Sequence, residues 1–138
     1  MRSPSEYELF CDPETNERMF GDDTPFNLES DLRTVRKTIK PPDRLTDEIV
    51  FKCMQKSPKA ILVVNDHDVV HRNAIRVVKY DVLDDRSKKA FRFIILIDDV
   101  HRFFILLHVY EKSVKSDLDQ HEKKALASLV ENYSASCR

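Results

Sequence analysis

The sequence predicts an α+β fold: an antiparallel sheet packed with two N-terminal helices and one C-terminal helix. Three observations carry it. Apolar residues recur at helical spacing from Leu28 to Ile39, the pattern then changes to four apolar, β-branched runs between Ala60 and Tyr110, and a helical stripe closes the chain from Leu118 to Tyr133. With 138 residues there is room for one domain, 1–138, with a moderate core, and no repeat or long linker divides it.

Residues 1–25 are mostly polar and read as an acidic N-terminal extension, with Tyr7–Cys11 as a short edge strand and Asp22-Asp23-Thr24-Pro25 as a turn. Leu28, Leu32, Val35 and Ile39 then form one face of a helix capped by Asn27 and stopped by Pro41-Pro42. A second helix starts at Thr46, where Leu45 and Val50 sit at the positions of a hydrophobic staple. It turns Ile49, Val50, Cys53 and Met54 inward and ends at Pro58.

Four strands follow over Ala60–Asn65, Ile75–Leu83, Phe91–Ile97 and Arg102–Tyr110. Phe91–Ile97 is apolar on both pleat faces except at Arg92, the pattern of a central, covered strand. The polar loops at 84–89 and 98–101 are short enough to make the last three strands an antiparallel meander. Ser116 followed by Asp119 reads as the capping box of the last helix, whose stripe is Leu118, Ala125, Leu126, Leu129 and Tyr133.

Composition narrows the chemistry. The single glycine, Gly21, leaves no glycine-rich phosphate loop, so a phosphate contact must come from side chains or a helix start. No run of 18 apolar residues is present, and the acidic opening lacks the apolar centre of a secretion signal. Three scattered cysteines, Cys11, Cys53 and Cys137, suit a reducing compartment, and the cytoplasm is the expectation. Residues 1–50 carry seven Lys/Arg against twelve Asp/Glu, whereas residues 51–138 carry sixteen against twelve. The second half can therefore meet an anionic partner or the acidic first half.

His67, Asp68 and His71 are close in sequence, but neighbouring valines make this a loop or strand edge, and no metal or other cofactor is expected. Cys53 lies on an inward helix stripe and reads as core. The basic residues of the strands are more informative. If the last three strands are neighbours, Arg76, Arg92 and His108 could stand in a row across one sheet face, with Tyr110, Lys112 and Lys115 following. Such a set can bind a phosphodiester and stabilise charge that develops on it. Cleavage of RNA by its own 2′-hydroxyl needs a base, a cation and an acid, and no metal. His108 has the intrinsic pKa for a proton role, and lysines beside other cations can be tuned to one. The alternative is that these charges pair with Asp81, Asp98, Asp99 or Glu111.

From Ile75 onward, IRVVKYDV and then AFRFIILIDDVHRFFILLHVYEKSVKSDLDQHEKKAL resemble the RelE/ParE superfamily of bacterial toxins over roughly residues 60–133. The likeness lies in Phe91-Arg92-Phe93, in the acidic turn after that strand, and in His108-Val109-Tyr110-Glu111-Lys112-Ser113 at the end of the last strand. It implies a single RelE-like toxin domain and, in the RelE-like branch, a metal-independent endoribonuclease. Its partners would be messenger RNA, on or off the ribosome, and a neutralising antitoxin. On this resemblance Arg76 or Lys79 matches the basic residues of the earlier strand, and Arg92 the phosphate-binding arginine. Lys112 and Lys115 match the late basic cluster and Tyr110 the nearby aromatic; His108 is added from its own chemistry, as a proton-transfer group. The catalytic set is thus Arg76, Lys79, Arg92, His108 and Lys112, flanked by RNA contacts from Lys88, Lys89, Tyr110 and Lys115. The chain departs from the family in its near-neutral charge, in its acidic front half, and in a late cluster of lysines without arginine. A non-enzymatic protein-binding protein, or a gyrase-directed one, on the same fold is the second class of function.

Overall fold

The computed structural model describes residues 7–37, 61–65, 74–83 and 88–136. In chain order these form β1 (Glu8–Phe10), α1 (Pro13–Phe20), a 3-10 turn (Gly21–Asp23), α2 (Leu28–Arg36), β2 (Ile61–Asn65), β3 (Ile75–Leu83), β4 (Ala90–Asp98), β5 (Phe103–Glu111) and α3 (Gln120–Ser136). The strands make one five-stranded sheet in the order β1-β5-β4-β3-β2. β2 to β5 pair antiparallel, as the short connections among β3, β4 and β5 lead one to expect for those three, while β1 adds to the far edge of β5 in parallel. The class is α+β, with two helices before the main strands and one after.

Two helices precede the main strands among the described residues, and one of them is the helix expected from Asn27. α2 matches the Leu28 stripe: Asn27 accepts from the Ser30 N–H at 3.0 Å, and Leu28, Leu32 and Val35 are buried. The other described helix is α1, within the stretch whose polarity suggests only an extension. Its start carries a clear signal, with Asp12 accepting from the Thr15 N–H at 2.8 Å and Pro13 entering the first turn, where its missing N–H costs nothing. Gly21, at φ 52°, ends it in the left-handed region that a side chain resists. The helix expected from Thr46, with Cys53 on its inner stripe, lies outside the described residues, as do His67, Asp68 and His71.

β4 is covered on both faces, because successive side chains alternate between two cores. Phe91, Phe93, Ile95 and Ile97 pack with Leu28, Leu32 and Val35 of α2. Ile94 and Leu96 pack with Leu126, Leu129 and Val130 of α3 and with Phe20 from the end of α1. The last helix begins later than the sequence suggests. Its capping box is Asp119 with Glu122: Asp119 Oδ1 accepts from the Glu122 N–H at 2.8 Å, and Glu122 Oε1 accepts from the Asp119 N–H at 3.0 Å. Ser116 and Asp117 are left in the approach to the helix, where both meet the sheet.

Residues 7–20 are built into this frame. Tyr7 stacks on Phe104 with ring centroids 4.4 Å apart and donates to Asp99 at 2.5 Å. The parallel pairing of β1 stops at Ile105, and the next carbonyl, Leu106 O, is taken by Asn16 Nδ2 at 2.8 Å. An Asn16→Ala variant therefore leaves a buried carbonyl without its donor. Its expected cost is about 1–3 kcal/mol, read as a lower urea midpoint with an unchanged slope.

Candidate functional site

Strand register decides which basic residues meet. Arg92 stands opposite Asp81 of β3 on one side and Tyr110 of β5 on the other, and Ile94 stands between Lys79 and His108. Lys79, Asp81, Arg92, His108 and Tyr110 thus share the sheet face that turns toward α3. Arg76 is five residues from Asp81, an odd separation, so it emerges on the opposite face. The expected row of Arg76, Arg92 and His108 does not form. Arg76 instead pairs with Asp99 at 2.6 Å on the α2 side, where Asp99 also accepts from Tyr7.

Arg92 is the centre of the cluster and only 7% exposed. Its fork grips Asp81 through Nε at 2.7 Å and Nη2 at 3.3 Å. Nη1 donates to Ser116 O at 2.9 Å and to Asp117 Oδ1 at 3.3 Å. Each carboxylate then takes a lysine: Lys112 reaches Asp81 at 3.0 Å and Lys79 reaches Asp117 at 3.1 Å. Lys115 pairs with Glu122 and lies 5.1 Å from the Tyr110 ring centroid and 5.7 Å from that of Phe26. Lys88 and Lys89 are exposed just before β4, Lys88 at φ 59° and Lys89 within 3.6 Å of Glu111. They border the cluster without joining its inner pairs.

The electrostatics follow from these contacts. The Asp81 hydrogen bond holds the Arg92 guanidinium protonated even more firmly than usual, against the effect of burial. Arg92 in turn holds the Asp81 carboxyl below its ordinary value of 3.8, helped by Lys112. Burial raises the Asp117 carboxyl, but the Leu118 N–H and Lys79 outweigh it and leave it lowered. Burial pushes the Tyr110 phenol up, opposed by Arg92.

His108 is set differently. It is 8% exposed, with Nδ1 2.6 Å from Asp31 Oδ2 of α2. Phe26 stacks flat on its ring at 4.0 Å, and Tyr110 lies tilted at 5.0 Å. Two buried polar atoms of this group, His108 Nε2 and Tyr110 Oη, have no hydrogen-bond partner among the described residues. An unsatisfied buried group costs about 1–3 kcal/mol, so a pair of them in one place calls for an explanation.

The sequence-derived set is therefore split. Lys79, Arg92, His108, Tyr110, Lys112 and Lys115 gather on one face, Lys88 and Lys89 flank them, and Arg76 lies behind the sheet. Sequence reasoning missed Asp31, Phe26, Asp117 and Glu122. Asp31 was within reach, since it falls on the same helix side as Leu28, Leu32 and Val35, where an acid needs a partner. Asp98, considered as an arginine partner, does other work. Fully buried, it accepts from the Val100 and His101 N–H groups, from Tyr133 at 2.6 Å, and pairs with the His101 ring at 2.7 Å.

A cavity of about 830 Å³ lies elsewhere, between α1 and the start of α2. Phe26 forms part of its wall, but Glu14, Glu17, Asp22 and Glu29 make its rim acidic and ill suited to a polyanion. Among the described residues no three His, Cys, Asp or Glu side chains converge as metal ligands, and no helix is long and apolar enough to cross a membrane.

Because Asp81 releases its proton more readily when folded, its stabilisation is present above the ordinary carboxylate value and is lost as pH falls through the folded one. Asp81→Asn should cost about 1 kcal/mol at neutral pH, a low figure for a charge-assisted bond because solvent screens a carboxylate 42% exposed. In urea titrations the gap between variant and wild type should narrow steadily as the pH is taken below 3.8. Comparison of the chain with protein-family models, with curated proteins and with solved structures returns no match.

Proposed function

We propose that the chain is a RelE-like endoribonuclease that cleaves messenger RNA by attack of the 2′-hydroxyl on the adjacent phosphorus. One observation carries the reading: Lys79, Arg92, His108 and Lys112 emerge from three strands onto one sheet face around Tyr110. The chemistry divides among them. The planar fork of Arg92, now spread over two oxygens of Asp81, fits two phosphate oxygens equally well. Lys79 adds positive charge beside it, where charge builds up on the phosphorane. His108 takes the 2′-hydroxyl proton, and Lys112 delivers a proton to the departing 5′-oxygen. Bond-making between O2′ and phosphorus and breaking of the P–O5′ bond leave a 2′,3′-cyclic phosphate and a 5′-hydroxyl. Lys88, Lys89 and Lys115 steer flanking phosphates. An RNA phosphate must displace Asp81 and Asp117 from the cations, and both carboxylates are open enough to solvent to be displaced. A neutralising antitoxin would act by covering this face.

A second reading is favoured by the completeness of the pairing. Each of Lys79, Arg92, Lys112 and Lys115 has a carboxylate partner in the chain. A protein that only binds another protein, with this cluster serving as a structural brace, would look the same at rest.

Induced expression in bacteria separates the two. The ribonuclease reading expects arrested growth and new RNA 5′ ends within coding regions. It expects Lys112→Ala, whose side chain is 36% exposed and leaves the core intact, to lose activity by about 100-fold and restore colonies. Normal growth and an unchanged map of 5′ ends on wild-type expression would favour the brace.

A further inference from the structure

His108 is the group for which ordinary packing gives the least account. A buried imidazole normally satisfies both nitrogens, yet here one is engaged and the other, sealed from solvent, has no partner among the described residues. The engaged atom is Nδ1, and its partner is a carboxylate from a different element, Asp31 of α2, 77 residues away in the chain. An ionised carboxylate can only accept, so the proton between them sits on Nδ1, and in the neutral ring Nε2 is then the nitrogen with the lone pair. Phe26 against one face of the ring and Tyr110 beside it hold the imidazole in this orientation.

We infer that Asp31 is a positioning residue, which fixes His108 as the Nδ1–H tautomer with Nε2 as the atom that receives the proton of the RNA 2′-hydroxyl. The inference rests on the ribonuclease reading above. It accounts for an arrangement that costs stability: a base must keep an unengaged lone pair, and the free energy lost at Nε2 maintains it. It also gives α2 a part in the reaction, because the helix that closes one core carries the carboxylate that orients the base. When Nε2 accepts its proton the imidazolium lies against the Asp31 carboxylate, which stabilises it. For a 2′-hydroxyl to reach the sealed Nε2 its cover has to shift, and Phe26, stacked on His108 from the segment between the 3-10 turn and α2, is part of that cover.

Two measurements on the full chain test this. Long-range ¹H–¹⁵N spectra at about pH 8.5, where an ordinary imidazole is neutral, should show the His108 proton on Nδ1 and none on Nε2. Cleavage should be followed in a reconstituted translation system with messenger RNA as substrate. Asp31→Asn should slow it about 100-fold or more, with Asp31→Glu recovering part of the rate. Binding of a non-cleavable 2′-O-methyl RNA should change less than about twofold, whereas a purely structural role would weaken binding and rate together. A proton on Nε2 in the wild type, or an Asp31→Asn rate within about threefold of wild type, overturns the inference. The expected tautomer with no cleavage by the wild type overturns the ribonuclease reading, and with it the role given to Asp31.

Discussion

The guanidinium of Arg92 is the constraint on which this end of the molecule is built. A charge placed near the start of an apolar central strand cannot be left bare, because burying an unpaired ion costs several kcal/mol. It draws a carboxylate from β3, and a second carboxylate and a carbonyl from the approach to α3, and makes four hydrogen bonds to them. The segment 112–119 is thereby bent back over the sheet before the last helix can start. The two carboxylates each have oxygen capacity left, and they bring Lys112 and Lys79 to the same place. A single buried cation thus gathers four more charged side chains, two carboxylates and two lysines, and sets their spacing.

The opposite side of the cluster depends on the helices. α2 packs Leu28, Leu32 and Val35 into one core, and Asp31 on its flank reaches His108. α1 supports β5 from its edge through Asn16, and its last residue, Phe20, enters the other core. The acidic first half of the chain therefore does more than balance charge. It supplies the carboxylate beside the one imidazole of the cluster, and Phe26 above that ring. Both functional readings use the same ion pairs; they differ in whether an RNA phosphate can replace Asp81 and Asp117.

Much of this was legible in the sequence, for identifiable reasons. The strands announced themselves because β-branched and aromatic runs are interrupted only by short polar turns, and Asn27 marked the start of α2. α1 was hidden by its polarity, although Asp12-Pro13 is a start signal, because an eight-residue helix buries too few apolar side chains to show a stripe. The row through Arg76 failed on parity: pairing order can be guessed from loops, but the face of a residue depends on register, which here sets Asp81 opposite Arg92. Ser116 and Asp119 looked like a cap in isolation. Asp117 is held by Lys79, Arg92 and the Leu118 N–H, so the helix waits for the Asp119 and Glu122 pair. Contacts such as Asp31 with His108 join residues far apart in the chain, and no local pattern encodes them.

The central claim is that cations and a base assembled around Arg92 and Tyr110 drive attack by the RNA's own 2′-hydroxyl. The chemistry of the new ends tests it most directly. Messenger RNA treated with the purified chain, both free and on translating ribosomes, should acquire 2′,3′-cyclic phosphate and 5′-hydroxyl termini at discrete positions. RNA left intact in both settings, or cut to 3′-hydroxyl and 5′-phosphate ends, would contradict it.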